Sequence, residues 1–245
     1  MLGLSGEERC AMVVYKTAGF SLDEEAVIEK MKLRGPSTEK GLAVAREVSE
    51  DVEPWFVCKE CHVESISGDE VVISGTVFHS AFLARILGKV NRVIAYVTTC
   101  GVKMSEHTRS FGDIFERYIA EGAESLVLDA AKCGLETFIE TEWGHRKFSH
   151  VNPGSIEDWS TLEIGKIFDL LEGRPYELGM TLTDSGLMQP TRSVSGFYFE
   201  SETPYFNCML CQRHCPNRKA AFDEALYSSF RGTNPDEKGQ AEMVN

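Results

Sequence analysis

The chain lacks any apolar run that approaches the roughly 20 residues needed to cross a bilayer. Its start, Met1-Leu-Gly-Leu-Ser-Gly-Glu-Glu-Arg9, has no charged segment followed by an apolar one, so no secretory signal is expected. Basic residues are in deficit: 25 Lys and Arg face 38 Asp and Glu, a formal net charge of −13. A nucleic-acid-coating protein would need a basic stripe instead. Internal repeats and low-complexity stretches are absent, and helices and strands do not alternate in a βαβ rhythm. Together these absences predict a cytoplasmic protein with no membrane span and no nucleic-acid partner. They also argue against a parallel α/β sheet.

Hydrophobic content is 42%, ordinary for a globular chain, and 245 residues suffice for a large core. Such a core buries about three quarters of the unfolded surface, so metal is not required to hold it together. Eight cysteines are present. In a reducing compartment they are expected as ligands or free thiols rather than disulfides. Three of them form the densest chemical signal: Cys208-Met-Leu-Cys211-Gln-Arg-His-Cys215-Pro216. This C-x2-C-x3-C-P spacing repeats the last three cysteines and the proline of the bacterial ferredoxin run. Thiolates converging from one short loop suit a soft metal centre.

A [4Fe-4S] cluster held by Cys208, Cys211 and Cys215 is the leading expectation. The slot for a preceding ferredoxin cysteine holds Tyr205, so a fourth ligand must come from elsewhere or one iron stays open. Cys100, at an expected strand end beside Gly101, is the first candidate, and Cys133 the second. Zinc is the rival, since Cys58-Lys-Glu-Cys61 and Cys208-x2-Cys211 make a pair of C-x2-C units. Free thiols in a loop are the bland reading. Arg213, Arg218 and Lys219 lie nearby and are read as a docking patch for an acidic redox partner, or as charge offsetting the thiolates.

Local patterns predict the elements. Ser21-Leu-Asp-Glu24 reads as a capping box opening a helix to about Arg34, and a second helix runs from Ser37 to about Asp51. Trp55–Glu64 and Glu70–Thr76 read as strands around a Ser67-Gly-Asp turn, followed by a short helix over Phe82–Leu87. Val93–Thr98 is a buried strand by its continuous apolar run. Helices fill Ser105–Trp143 with a break near Gly122, and Asp129, Cys133, Glu136 and Glu140 share the polar face of the second. His145–Gly154 reads as irregular or extended, and Ser160-Thr-Leu-Glu163 caps another helix. Two extended segments fill Tyr176–Phe199, and a last helix runs from about Arg218 to Phe230. The class is α+β, a mostly antiparallel twisted sheet flanked by helices. Residues 1–53 are expected as an N-terminal helical segment packed on the main domain. Residues 54–232 form that domain, including the cysteine loop at 205–216, and 233–245 are a flexible tail.

Several pieces, in order, resemble the activation (reactivation) domain of cobalamin-dependent methionine synthase. The stretch Thr181-Leu-Thr-Asp-Ser-Gly-Leu-Met-Gln-Pro-Thr-Arg-Ser-Val-Ser-Gly-Phe-Tyr-Phe199 resembles that family's "KLTES-x-AMWPGASVSGWYF", and Pro204-Tyr205-Phe206 its "KYF". Asp129–Glu140 resembles the helix bearing a ligand-binding Glu, and Arg146 the Arg opening an R-x-x-x-G-Y loop. Tyr96–Gly101 resembles the "ATLG" strand end of stand-alone members. The likeness covers about residues 75 to 215.

The resemblance implies the family's α+β fold, S-adenosylmethionine as ligand, and cobalamin carried by a partner. It also implies a role in reductive reactivation. Carried over, Glu136 pairs with the ligand's ammonium, Arg146 holds its carboxylate, and Tyr205 contacts it. Ser193, Ser195 and Gly196 belong to the same set, although strand packing is the other reading of the serines, since no G-x-S-x-G elbow surrounds them. No catalytic residue is identified. Two features depart from the family. His150-Val151 stands where the family has Gly-Tyr, and the family domain has no cysteine cluster.

The expected function is therefore reductive activation of a corrinoid protein or cobalamin-dependent methyltransferase, with an electron relayed through the iron–sulfur cluster from an electron-donor protein. The other class of function is a non-catalytic corrinoid-protein docking module with structural zinc. A methyltransferase acting on something other than cobalamin is the weakest reading.

Overall fold

The computed structural model describes residues 12–144, 147–155, 158–201, 205–214, 218 and 220–231. Cys10, Arg146, Cys215, Pro216 and Lys219 lie outside them, as does the expected tail at 233–245.

Nine strands are found among the described residues: β1 (Val14–Thr17), β2 (Trp55–Ser67), β3 (Glu70–Ile73), β4 (Thr76–His79), β5 (Arg92–Thr99), β6 (Phe148–Val151), β7 (Thr181–Leu182), β8 (Met188–Gln189) and β9 (Ser193–Glu200). The framework is a sheet in the order β4-β3-β2-β5-β9-β6, with β1 added to β2. β7 and β8 form a separate two-stranded hairpin. Every pairing is antiparallel, as the sequence predicts. β1 has no counterpart in the sequence expectation, and it puts a strand within the first 53 residues. It is four residues with only Val14 buried, too short to show a period of two.

Eight α-helices accompany the strands among the described residues. They are α1 (Glu24–Met31), α2 (Pro36–Val48), α3 (Ala81–Ile86), α4 (Val102–Ser110), α5 (Ile114–Glu142), α6 (Ile164–Leu170), α7 (Arg174–Glu177) and α8 (Glu224–Arg231). α1 is capped by Asp23 rather than Ser21; the Asp23 carboxylate accepts from the Glu25 and Ala26 amides. The expected break near Gly122 is absent: α5 runs unbroken for 29 residues, and the chain turns instead between α4 and α5. Gly122 lies inside the helix against the Met31 thioether, which occupies the space a β-carbon would take. Ser160 caps a 3-10 turn at Thr161–Glu163. Glu163 accepts from the His79 amide and the Trp159 indole and pairs with Lys166, so it does not close a capping box.

The two sheet faces are covered differently. Val57, Ala95, Val97, Phe197 and Phe199 project to one face under α3, α6 and Trp159. Phe56, Ile94, Tyr96 and Tyr198 project to the other, under Leu135, Phe138 and Ile139 of α5 and Trp143 just after it. A third cluster joins α1, α2 and α4 to the first half of α5, and it includes Cys100. No described helix is long and apolar enough to cross a membrane.

In that third region Glu124 has a side chain only 3% exposed, with the Arg192 guanidinium 4.0 Å away. Burial raises its carboxyl above the ordinary 4.5, opposed by Thr108, Arg192 and Ser105. The folded state therefore holds this proton more tightly than the unfolded chain does. The stabilisation is fully present below the ordinary carboxyl value and is lost as pH rises through the higher native value. Glu124→Gln cannot ionise. Its melting temperature is expected to gain on the parent's as pH rises from about 4 to about 8. Parallel melts across that range decide it, and a constant difference removes Glu124 as the titrating group.

Candidate functional site

Strand β9 organises the candidate site. Its middle holds Ser195, Gly196, Phe197 and Tyr198, with β5 on one side and β6 on the other. At Gly196 a β-carbon would collide with the Val151 carbonyl and approach the Asn152 amide at 2.6 Å. Only glycine lets the end of β6 close over β9 here. Asn152 then donates to the Tyr96 hydroxyl and to the Ser195 carbonyl, both at 2.7 Å. Its carboxamide is thus part of the strand junction.

On the side facing α5, Tyr96 and Tyr198 lie with ring centroids 4.6 Å apart. The Tyr198 hydroxyl donates to Glu136 Oε1 at 2.8 Å. Burial pushes both phenols well above their usual range, and the Glu136 charge adds to it. They remain neutral, so Tyr198 is a hydrogen-bond donor and Glu136 keeps further acceptor positions. Phe148 and His150, on β6, pack on the Tyr198 ring at 5.2 and 5.4 Å. His150-Val151 is therefore paired edge strand, opposite Tyr198 and Phe197, rather than loop. Arg146 lies outside the described residues.

Beyond Glu200 the chain returns along β6. The Tyr205 amide donates to the Ser149 hydroxyl at 2.7 Å, and the Asn207 side-chain amide reaches Asn152 Oδ1 at 3.5 Å. Tyr205 is buried on the α3 side of the sheet against Phe82, at 5.6 Å between centroids. Burial raises its phenol, and the proximity of Cys208 raises it further. The hydroxyl finds no hydrogen-bond partner among the described residues.

A 3-10 turn, Asn207–Leu210, then carries Cys208, with Cys211 directly after it. Both thiols are half-buried, and neither is in a disulfide. Arg218 donates to the carbonyls of Cys208 at 2.9 Å, Cys211 at 2.6 Å, Arg213 at 2.7 Å and Ala220 at 3.3 Å. Two soft thiols three residues apart on a braced turn fit part of a thiolate metal site. Cys215 is outside the described residues, and among the described residues no group of three potential ligands is gathered.

The remaining expected positions are spread more widely. Cys100 is fully buried beside Met104 in the cluster joining α1, α2 and α4 to α5, and burial raises its thiol to about 12. Tyr205, Met209 and Leu210 pack in the other cluster, on the α3 side, so Cys100 and the cysteine turn belong to separate packing units. Ser193 bonds to Thr99 at 2.8 Å and to the Pro190 carbonyl at 2.7 Å, bracing the start of β9. The Ser195 hydroxyl is buried and unpartnered among the described residues. Cys133 is exposed on an open groove of about 480 Å³ between β1 and α5, which Lys16 and Phe138 also line.

The zinc arrangement using Cys58 and Cys61 is corrected. Both lie on β2, where residues three apart point to opposite faces. Cys58 packs in the α5-side cluster and Cys61 in the α3-side cluster, and burial holds the Cys58 thiol far above its usual range. They cannot join Cys208 and Cys211 around one ion.

Sequence reasoning misses the roles of Asn152, Tyr96 and Ser149 and the structural use of Arg218. Asn152, Ser149 and Arg218 carry no motif, and Tyr96 enters the sequence reading only as the first residue of a strand-end likeness. Only the Asn152-Pro-Gly154 turn signal hints that the chain changes direction there.

Comparison with known proteins agrees with the family resemblance. Residues 153–217 match the family model described as vitamin B12-dependent methionine synthase, activation domain. The fold is similar to that in a crystal structure of the MetH reactivation domain bound to AdoHcy. The TM-score is 0.59 at 17% identity, over 80% of each chain. No curated protein matches the chain. The expected resemblance and the expected fold class both hold.

Gly196→Ala is expected to cost about 1–3 kcal/mol through overpacking. At roughly 2–4 °C per kcal/mol for a chain of this size, the melting temperature falls by several degrees. An unchanged melting temperature would mean that β6 does not close on β9 as described.

Proposed function

We propose that this protein supports reductive reactivation of a corrinoid protein, binding S-adenosylmethionine beside Glu136 and carrying a thiolate-ligated iron–sulfur cluster on the 205–216 loop. One observation carries the reading: Asn152 bonds to both the phenol nest around Glu136 and the segment leading into the cysteine turn. The two expected sites, on opposite faces of the sheet, are thus linked through one strand junction. β9, the strand at that junction, lies within the segment that matches the activation-domain model.

The overall reaction supplies one electron to cob(II)alamin on the partner. The methyl group of S-adenosylmethionine then passes to the reduced cobalt: a carbon–sulfur bond breaks, a cobalt–carbon bond forms, and S-adenosylhomocysteine leaves. That product is the ligand named for the similar crystal structure. The methylation draws an unfavourable reduction forward, and the electron itself comes from a reducing partner protein.

This chain's residues bind, orient and shield. Glu136 offers a carboxylate to the ligand's ammonium, oriented by the neutral Tyr198 phenol. Arg146 is the guanidinium for the opposing carboxylate. Cys208, Cys211 and Cys215 provide thiolates, with the fourth position filled by another group. An iron–sulfur cluster bound there supplies one-electron transfer. The net charge of −13 suits a partner with a basic docking face.

Anaerobic preparation should yield protein with iron and acid-labile sulfide and a broad band near ~400 nm that dithionite bleaches. Cys208→Ser should lose it. A colourless parent containing stoichiometric zinc ends the electron-relay reading and leaves the docking module. Separately, calorimetry should detect S-adenosylmethionine binding, weakened about tenfold or more in Glu136→Gln as a charged hydrogen bond is lost. Equal affinity in that variant removes Glu136 from the site.

A further inference from the structure

We infer that Arg218 is the positioning residue of the cysteine loop, holding it ready for metal before any metal arrives. This rests on reading the loop as a metal site. A turn that presents two cysteines in close succession has to be held in shape. A short irregular turn makes few backbone hydrogen bonds of its own, so its carbonyls need partners from elsewhere. In this protein four carbonyls, from Cys208, Cys211, Arg213 and Ala220, are turned onto one guanidinium. The Cys208 carbonyl also accepts from the Cys211 amide at 3.3 Å, closing the turn. One fixed side chain therefore ties both sides of the loop together.

The geometry requires arginine. Nη1 serves Cys208 and Ala220 while Nη2 serves Cys211 and Arg213, a planar fork spanning both sides of the turn. An ammonium has only three donors around one point and cannot reach four carbonyls so arranged. Other ties keep the surrounding chain in place without it. The Asp223 amide donates to the Met209 carbonyl at 2.9 Å, and Met209, Leu210 and Leu226 pack against the sheet core. Removing the guanidinium should thus loosen the ligand loop and leave the sheet folded. The neighbouring Arg213 is no substitute, because its side chain is exposed and it meets Arg218 through its carbonyl.

Anaerobic Co²⁺ titration of the full chain tests this. Affinity is read by chelator competition, and ligation by the thiolate charge-transfer and d–d bands. Arg218→Lys and Arg218→Ala should bind Co²⁺ roughly 10–100-fold more weakly, as for loss of a residue that orients metal ligands. Their bands should weaken while the far-ultraviolet circular dichroism stays as in the parent. Arg213→Ala should match the parent in both readouts. Parent-like affinity and bands in Arg218→Lys overturn the inference, as does an equal loss in Arg213→Ala, which would mean a general charge effect. A parent that binds Co²⁺ no better than Cys208→Ser sinks the metal reading itself, and this inference with it.

Discussion

The close approach of β6 to β9 at Gly196 is the constraint on which the candidate site depends. The Val151 carbonyl lies where any other residue would have a β-carbon, and the Asn152 carboxamide is packed directly behind it. Because the two strands close there, Asn152 can reach Tyr96 and the Ser195 carbonyl on one side and Asn207 on the other. The phenol nest and the entry to the cysteine turn therefore share a rigid junction rather than two independent loops. Sites held by strands are better ordered than sites held by loops.

Desolvation sets the chemistry on the side facing α5. Tyr96 and Tyr198 are buried deeply enough to stay neutral, so Tyr198 acts as a fixed donor to Glu136. A half-buried carboxylate oriented by a neutral phenol keeps acceptor positions open to a cationic group. On the far side of the sheet the cysteine turn meets a different environment. Its thiols are only half-buried, in contrast with the fully buried Cys58, Cys61 and Cys100. Thiolates are favoured in partly exposed, electropositive surroundings and disfavoured in apolar ones. That contrast separates ligand candidates from packing cysteines more sharply than spacing does.

Much of the fold is legible in the sequence. Antiparallel pairing follows from the hairpin signal at Ser67-Gly-Asp69 and from short apolar runs, and the places of α2, α3 and α6 are read close to where they form. These are local properties, so local patterns specify them. The C-x2-C-x3-C-P spacing and the Ser193–Phe199 stretch likewise carry the metal expectation and the family likeness in the residues themselves.

The rest is decided in three dimensions. Gly122 reads as a helix break because a lone glycine lowers helix propensity, yet the helix runs through it and packs it against Met31. Cys58 and Cys61 have metal-ligand spacing, yet the alternation of a strand sends them to opposite faces. Glu136 is one polar helix residue among several until β9 brings the Tyr198 hydroxyl to it. Arg218 is one surface charge among several until four carbonyls turn onto its guanidinium. Sequence by itself determined which elements form and which chemistry is available. Tertiary structure alone decided which groups meet: Glu136 and Tyr198 are far apart in the chain and are brought together by a sheet whose register no local pattern encodes, and the Arg218 contacts depend on how the turn folds back on itself.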